Sequence, residues 1–174
     1  MGMYWSARLV DEKALVHLLQ HPEQVYDFFH ADQFDGCDPA WLDDYKTYPI
    51  VDMGQEWHAL HYVLTGSADT TGSALDFILG SFSAVGEDLG YGPAHVVPPR
   101  ALSAFSEALS AVGPDQIAAN FASEGFGASE VYLGRALASE GHVALDQLNL
   151  QITKLAEFVS TGAARQCGAI TLIT

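Results

Sequence analysis

Two histidines three residues apart, His58 and His61, are the side chains best suited to chemistry in this sequence. That spacing places them on one face of a helix. Trp57 and Leu60 form an adjoining apolar stripe, so His61 is expected close to the core and His58 nearer its edge. A turn at Gly90-Tyr91-Gly92-Pro93, followed by His95 and preceded by Glu87 and Asp88, supplies further polar groups if it folds against that helix. Trp57, His58, His61, Tyr91, His95 and Arg100 therefore make up a candidate binding surface. It admits three readings. Two histidines and an acid would suffice for a metal, yet His-x-x-His lacks the adjacent glutamate of the His-Glu-x-x-His pattern. A histidine titrating near neutrality can move protons, yet no nucleophile or oxyanion arrangement accompanies it. A buried histidine can also lock helix to turn through a hydrogen-bonded ring nitrogen, and the residue pattern favours this reading. No metal, cofactor or catalytic residue is assigned.

Other familiar chemistry is missing. The glycines near Thr65 and Tyr91 fit neither phosphate-loop spacing, and no lysine lies near them. None of the serines Ser103, Ser106, Ser110 and Ser123 sits in a Gly-x-Ser-x-Gly setting. Arg100 follows Pro98-Pro99 at a helix start, where a cation opposes the helix dipole, so an acidic partner, Glu87 or Asp88, is expected. Cys37 lies among acids, which raise a thiol pKa, and Cys167 opens an apolar run and should be packed. Neither suggests a disulfide framework or a zinc knuckle.

The elements that must position these groups follow from pattern and punctuation. Met3 to Val10 reads as a strand. Asp11 caps a helix whose apolar positions are Ala14, Leu15, Leu18 and Leu19, and Pro22 stops it. Glu23 to His30 is a short helix with Val25, Phe28 and Phe29 inward, and Pro39 to Leu42 a helical turn capped by Asp38. Asp52 to Leu64 reads as the clearest helix, with Asp52 and Gln55 as a capping pair and Gly66 as its C-cap. Leu75 to Gly80 is either a strand or a short helix. Helices follow over Arg100 to Val112, Pro114 to Phe121, Val131 to Leu137 and Val143 to Val159, the last closed by Gly162. Ala169 to Ile173 is a final strand. Strands at both ends with helices between predict an α+β fold: one domain over residues 1–174, with a single sheet that pairs the N- and C-terminal strands and carries helices on one or both faces.

Composition narrows the partners. The 174 residues are 49% hydrophobic and 17% charged, enough to bury one core without disorder. Twenty-two acids oppose seven Lys and Arg, a formal net charge of −15. Such a field repels phosphate backbones and anionic membranes, so neither nucleic acid nor membrane is an expected partner. It attracts a basic protein, while also serving plain solubility. Nine acids and a single lysine fall between Glu23 and Glu56, and this segment reads either as a solvated face or as a docking face. The opening residues lack a basic region before a long apolar stretch, and no run reaches membrane-spanning length, so a cytoplasmic location is expected. The expected form is a monomer, or a homodimer through the Val143 to Val159 helix.

The opening Met1-Gly2-Met3-Tyr4, the segment Trp57 to Gly66 read as W-x-x-L-H-x-x-L-T-G, the turn Asp88 to Ala94 and the C-terminal helix-then-strand together resemble the YfbM-like family, catalogued as domain of unknown function 1877. The resemblance covers nearly the whole chain. It implies a single α+β domain of mostly bacterial distribution with no accepted activity, and it lends no catalytic residues. The chain departs from the family pattern at Val131-Tyr132-Leu133, where a Tyr-Pro pair is usual. Three function classes stand open: a non-enzymatic acidic binding or inhibitor module, which the residues favour; a small-molecule binder or enzyme using a His/Trp/Tyr pocket; and a self-associating structural protein.

Overall fold

The computed structural model describes residues 2–31, 40–127 and 130–174. Among them one antiparallel sheet runs in the order β2-β1-β5-β4-β3, built from β1 (Trp5–Val10), β2 (Ile50–Asp52), β3 (Ser83–Val85), β4 (Ala94–Val97) and β5 (Gly168–Ile173). Seven α-helices accompany it: α1 (Glu12–Gln20), α2 (Val25–Phe29), α3 (Trp57–Thr65), α4 (Pro99–Ser110), α5 (Pro114–Phe121), α6 (Gly134–Glu140) and α7 (His142–Ala164). The fold is α+β, and the terminal strands pair with each other at the centre of the sheet. No helix of the described residues is long and apolar enough to cross a membrane.

Strand alternation divides the interior in two. Trp5, Ala7, Leu9, Val97 and Ala169 face a large core shared with α3, α4, α5 and α7. Val10, Ala94, Val96, Ile170 and Leu172 face a smaller core closed by α1, α2 and the 3₁₀ segment Ala40–Tyr45. Arg8 shares the second face, fully buried, and its Nη1 donates to the Tyr45 carbonyl at 3.0 Å. Asp11 caps α1 as its position suggests, accepting from the Ala14 amide at 2.8 Å, and its other oxygen accepts the Tyr48 hydroxyl at 2.8 Å. Burial and the Asp11 charge push the Tyr48 and Tyr45 hydroxyls up to about 12.

Several expectations need correction. Asp52 does not cap a helix; it ends β2, and its carboxylate accepts the Gly54 amide at 2.7 Å in a turn where Gly54 takes φ 58. The helix begins only at Trp57, with Glu56 at the cap position and no side-chain cap bond. Leu19 points to solvent. Leu75 to Gly80 is neither strand nor helix but a run of turns. The helix expected from Val131 starts at Gly134, because Leu133 adopts a left-handed φ of 59 that proline could not take. Gly162 does not close α7, which continues to Ala164. It is a contact residue instead: a β-carbon there would collide with the side chains of Leu102 on α4 and Leu9 on β1. The turn expected at Pro39 to Leu42 lies partly outside the described residues, as do Asp38 and Cys37. Cys167 is buried, and that burial raises its thiol pKa.

Candidate functional site

Helix α3 is buried on almost every side; only His58 and Thr65 are partly open. Gly66 terminates it in the left-handed conformation, its amide returning to the Tyr62 carbonyl. The side chain of Asn120 on α5 satisfies the Val63 carbonyl at 2.9 Å. So placed, the motif residues are used as ties to other segments. The Trp57 Nε1–H donates to the Met3 carbonyl at 3.2 Å, holding the chain just before β1. Its ring stacks on His58 at 5.2 Å between centroids and on Tyr132 at 6.2 Å.

His58 has both ring nitrogens committed. Since a carbonyl only accepts, Nε2 carries the proton and donates to Ala68 O at 2.7 Å, while Nδ1 accepts the Tyr132 amide at 3.0 Å. One neutral tautomer thus joins α3 to the chain that follows it and to the segment before α6. His61, wholly buried, donates from Nε2 to Asp69 O at 3.1 Å, with an Asp76 carboxylate oxygen 4.0 Å away and Nδ1 without a partner. Burial dominates its protonation and lowers its pKa from the usual 6.5, against the weaker opposing pull of the Asp69 carbonyl and the Asp76 charge.

A pH dependence follows. Because the folded pKa of His61 is lowered, protons bind the unfolded chain preferentially once pH drops below about 6.5. The stability contributed by neutral His61 is present above that value and declines as pH falls, levelling off below the folded pKa. Urea unfolding at about pH 7.5 and about pH 5.5 should therefore show His61→Gln losing less stability, relative to wild type, at the lower pH. An equal loss at both pH values would remove this account.

Asp76 anchors the loop that these histidines hold. Its carboxylate accepts from the Thr71 amide at 2.8 and 3.0 Å, the Thr71 hydroxyl at 3.0 Å and the Gly72 amide at 2.6 Å. Burial would raise its pKa, but these bonds outweigh it and hold the carboxyl below the usual range. A cavity of about 430 Å³ opens between this loop and α4, lined by Ser73, Asp76, Phe77, Phe82, Ala101 and Ala104 among others. Its one ionisable group is Asp76, already saturated by the loop.

Tyr91 and His95 belong elsewhere. Asp88 accepts the amides of Gly90 at 2.7 Å and Gly92 at 3.0 Å, which fixes the Gly-Tyr-Gly-Pro turn and depresses the Asp88 pKa. The turn lies on the β4 side of the sheet, and no α3 residue lines the cavity of about 290 Å³ that Tyr91 and His95 border with Trp5, Leu79, Ser81 and Thr171. The sequence-derived surface is thus three places: Trp57 with His58, His61 with Asp76, and Tyr91 with His95. Arg100 is exposed, and neither Glu87 nor Asp88 pairs with it. Among the described residues no group of three metal-ligating side chains converges. Trp5, Ser81 and Thr171 escaped the sequence reading, since only the strand order brings them to His95; the register sets His95 opposite Thr171.

Comparison with known proteins agrees with this architecture. The chain is similar in structure to a protein of unknown function, YfbM from Escherichia coli, at a TM-score of 0.68 and 17% identity, over 98% of this chain and 99% of that one. That likeness shows the fold. Comparison with curated proteins returns no match. The family model described as Domain of unknown function (DUF1877) matches residues 1–172, and the chain accordingly belongs to this YfbM-like family.

Proposed function

We propose that the protein is a non-enzymatic acidic module of the bacterial cytoplasm that binds, and by binding inhibits, a basic protein, in the manner of an immunity protein. The observation that carries this reading is the charge of −15 combined with the way its few cations are used. Arg8 is buried in the smaller core, and Lys46 and Lys13 each lie beside an acid, at 2.8 Å from Asp43 and 3.5 Å from Asp44. Acids therefore dominate the surface over that core, where Glu23, Asp43 and Asp44 are exposed. Asp32, Asp35 and Asp38 of the same acidic segment lie outside the described residues. The commitment of His58 and both oxygens of Asp76 to internal bonds supports a binding role over a catalytic one at α3.

The test is capture from a cell lysate at low and high salt, with Asp43→Lys/Asp44→Lys alongside the wild type. A single basic protein should be recovered at low salt, be lost at high salt, and fall about tenfold with the double variant. Equal recovery by wild type and variant, or an empty low-salt capture, would sink the reading.

A further inference from the structure

The two histidines of α3 and the one on β4 differ in how they are bonded. His58 has both ring nitrogens bonded within the protein, and His61 is buried with one bonded; His95 is partly exposed and bonds to nothing among the described residues. It stands on β4 directly across from Thr171, whose hydroxyl also lacks a protein partner although the residue is only 5% exposed. Ser81 and Tyr91 border the same cavity with their hydroxyls unused, and the Trp5 indole N–H is likewise without an acceptor. Trp5 and Thr171 are only 2% and 5% exposed, and side chains this sheltered normally spend their polar atoms on a partner, whereas His95, Ser81 and Tyr91 are partly or fully open to solvent. Two sheltered groups and three more open ones on one cavity mark a surface that retains its hydrogen-bonding capacity.

We infer that this cavity is a binding site for a small, uncharged, flat heteroaromatic molecule with donor and acceptor groups on its edge. Size comes first: about 290 Å³ lies at the lower end of ligand sites, room for one ring system. Charge comes second. No Asp, Glu, Lys or Arg lines the cavity, so an ionic ligand would lose its hydration without a counter-charge. Shape comes third, since Tyr91 and His95 supply ring surfaces and Pro93 and Leu79 apolar walls, with Trp5 contributing only the small part of its indole left accessible, and these suit a planar body. The Asp88-braced turn holds Tyr91 at the rim, so the site is largely preformed. The larger cavity beside Asp76 shares Ser81 but has no histidine, tyrosine or tryptophan in its lining.

Protein-observed NMR with uracil and nicotinamide, each at up to about 10 mM, tests the assignment, a range that reads the weak binding of fragments. Benzoate, benzylammonium and glucose serve as anionic, cationic and non-planar comparisons. The His95 ring resonances should shift with uracil or nicotinamide, and affinity should fall about tenfold in His95→Ala and about threefold in the rim variant Tyr91→Phe, which removes only a hydroxyl. No shift with either heterocycle, binding equally strong in both variants, or preference for one of the three comparison compounds would overturn it. The acidic surface variant Asp43→Lys/Asp44→Lys should bind the same probes unchanged, which separates this site from the protein-binding role.

Discussion

Trp57→Ala is expected to cost about 3–5 kcal/mol of stability, the range for truncating a large buried aromatic. Only 6% of Trp57 is exposed, and it joins three segments at once. Its indole fills the core beneath α3, its ring stacks on His58 and Tyr132, and its N–H holds the Met3 carbonyl. The alanine variant loses the packing and also leaves that carbonyl without its donor. Since whole domains hold by only about 5–15 kcal/mol, the variant should be partly unfolded at ordinary temperature. Trp57→Phe restores most of the ring and should recover all but about 1–2 kcal/mol. Urea titrations of the three proteins decide the matter, and a loss below about 1 kcal/mol for the alanine variant would show that the ties are incidental.

Asp76→Ala is the second large effect, at about 3 kcal/mol, because hydrogen bonds to an ionised group contribute more than neutral ones and two backbone amides lose their acceptor together, while the Thr71 hydroxyl keeps only the Ser73 hydroxyl. The Thr71 and Gly72 amides converge on this carboxylate, and Gly72 takes a left-handed φ of 75 to present its own. Asp76→Asn should cost roughly half as much, since one of its two oxygens becomes a donor facing donors. Hydrogen exchange should then speed up over residues 69–73 well before the rest of the protein responds. The depressed pKa sets the direction with acid: this carboxylate's contribution is complete above the ordinary value of 3.8 and disappears as pH falls through the lower folded value. An alanine variant within about 1 kcal/mol of wild type would show that the loop needs no anchor.

The sequence was informative where local rules act alone. Asp11 as a cap, Gly66 at a C-terminus, the Gly90 to Pro93 turn and the helix after Pro98-Pro99 depend on near neighbours, and each is found in place. β2, β3 and β4, of three or four residues, are too short for alternation to register. Asp52 imitated a cap because the same side chain serves a turn equally well, and Gly162 imitated a helix end because glycine marks both caps and close contacts. The spacing of Trp57, His58 and His61 was legible, but their purpose was not. Their partners are the backbone carbonyls of Met3, Ala68 and Asp69, which any residue type would supply, and the Tyr132 amide, which any residue but proline would supply. The Trp5–His95–Thr171 grouping exists only once β4 and β5 pair.

That strand order also dictates when the protein can form. β1 and β5, at opposite ends of the chain, share six residue pairs in the middle of the sheet, and Tyr4 and Thr174 extend the ladder by exchanging two further bonds. β4 docks on β5 and reaches β1 only through it. During synthesis β1 therefore waits with one long edge unpaired until β5, the last of the five strands in sequence, has left the ribosome, and the early segments can gather little more than α1, α2 and β2 around it. Completing the sheet closes the long loop between β1 and β5, and such non-local pairing is slow. Until then the exposed β1 edge is the region a chaperone would have reason to shield.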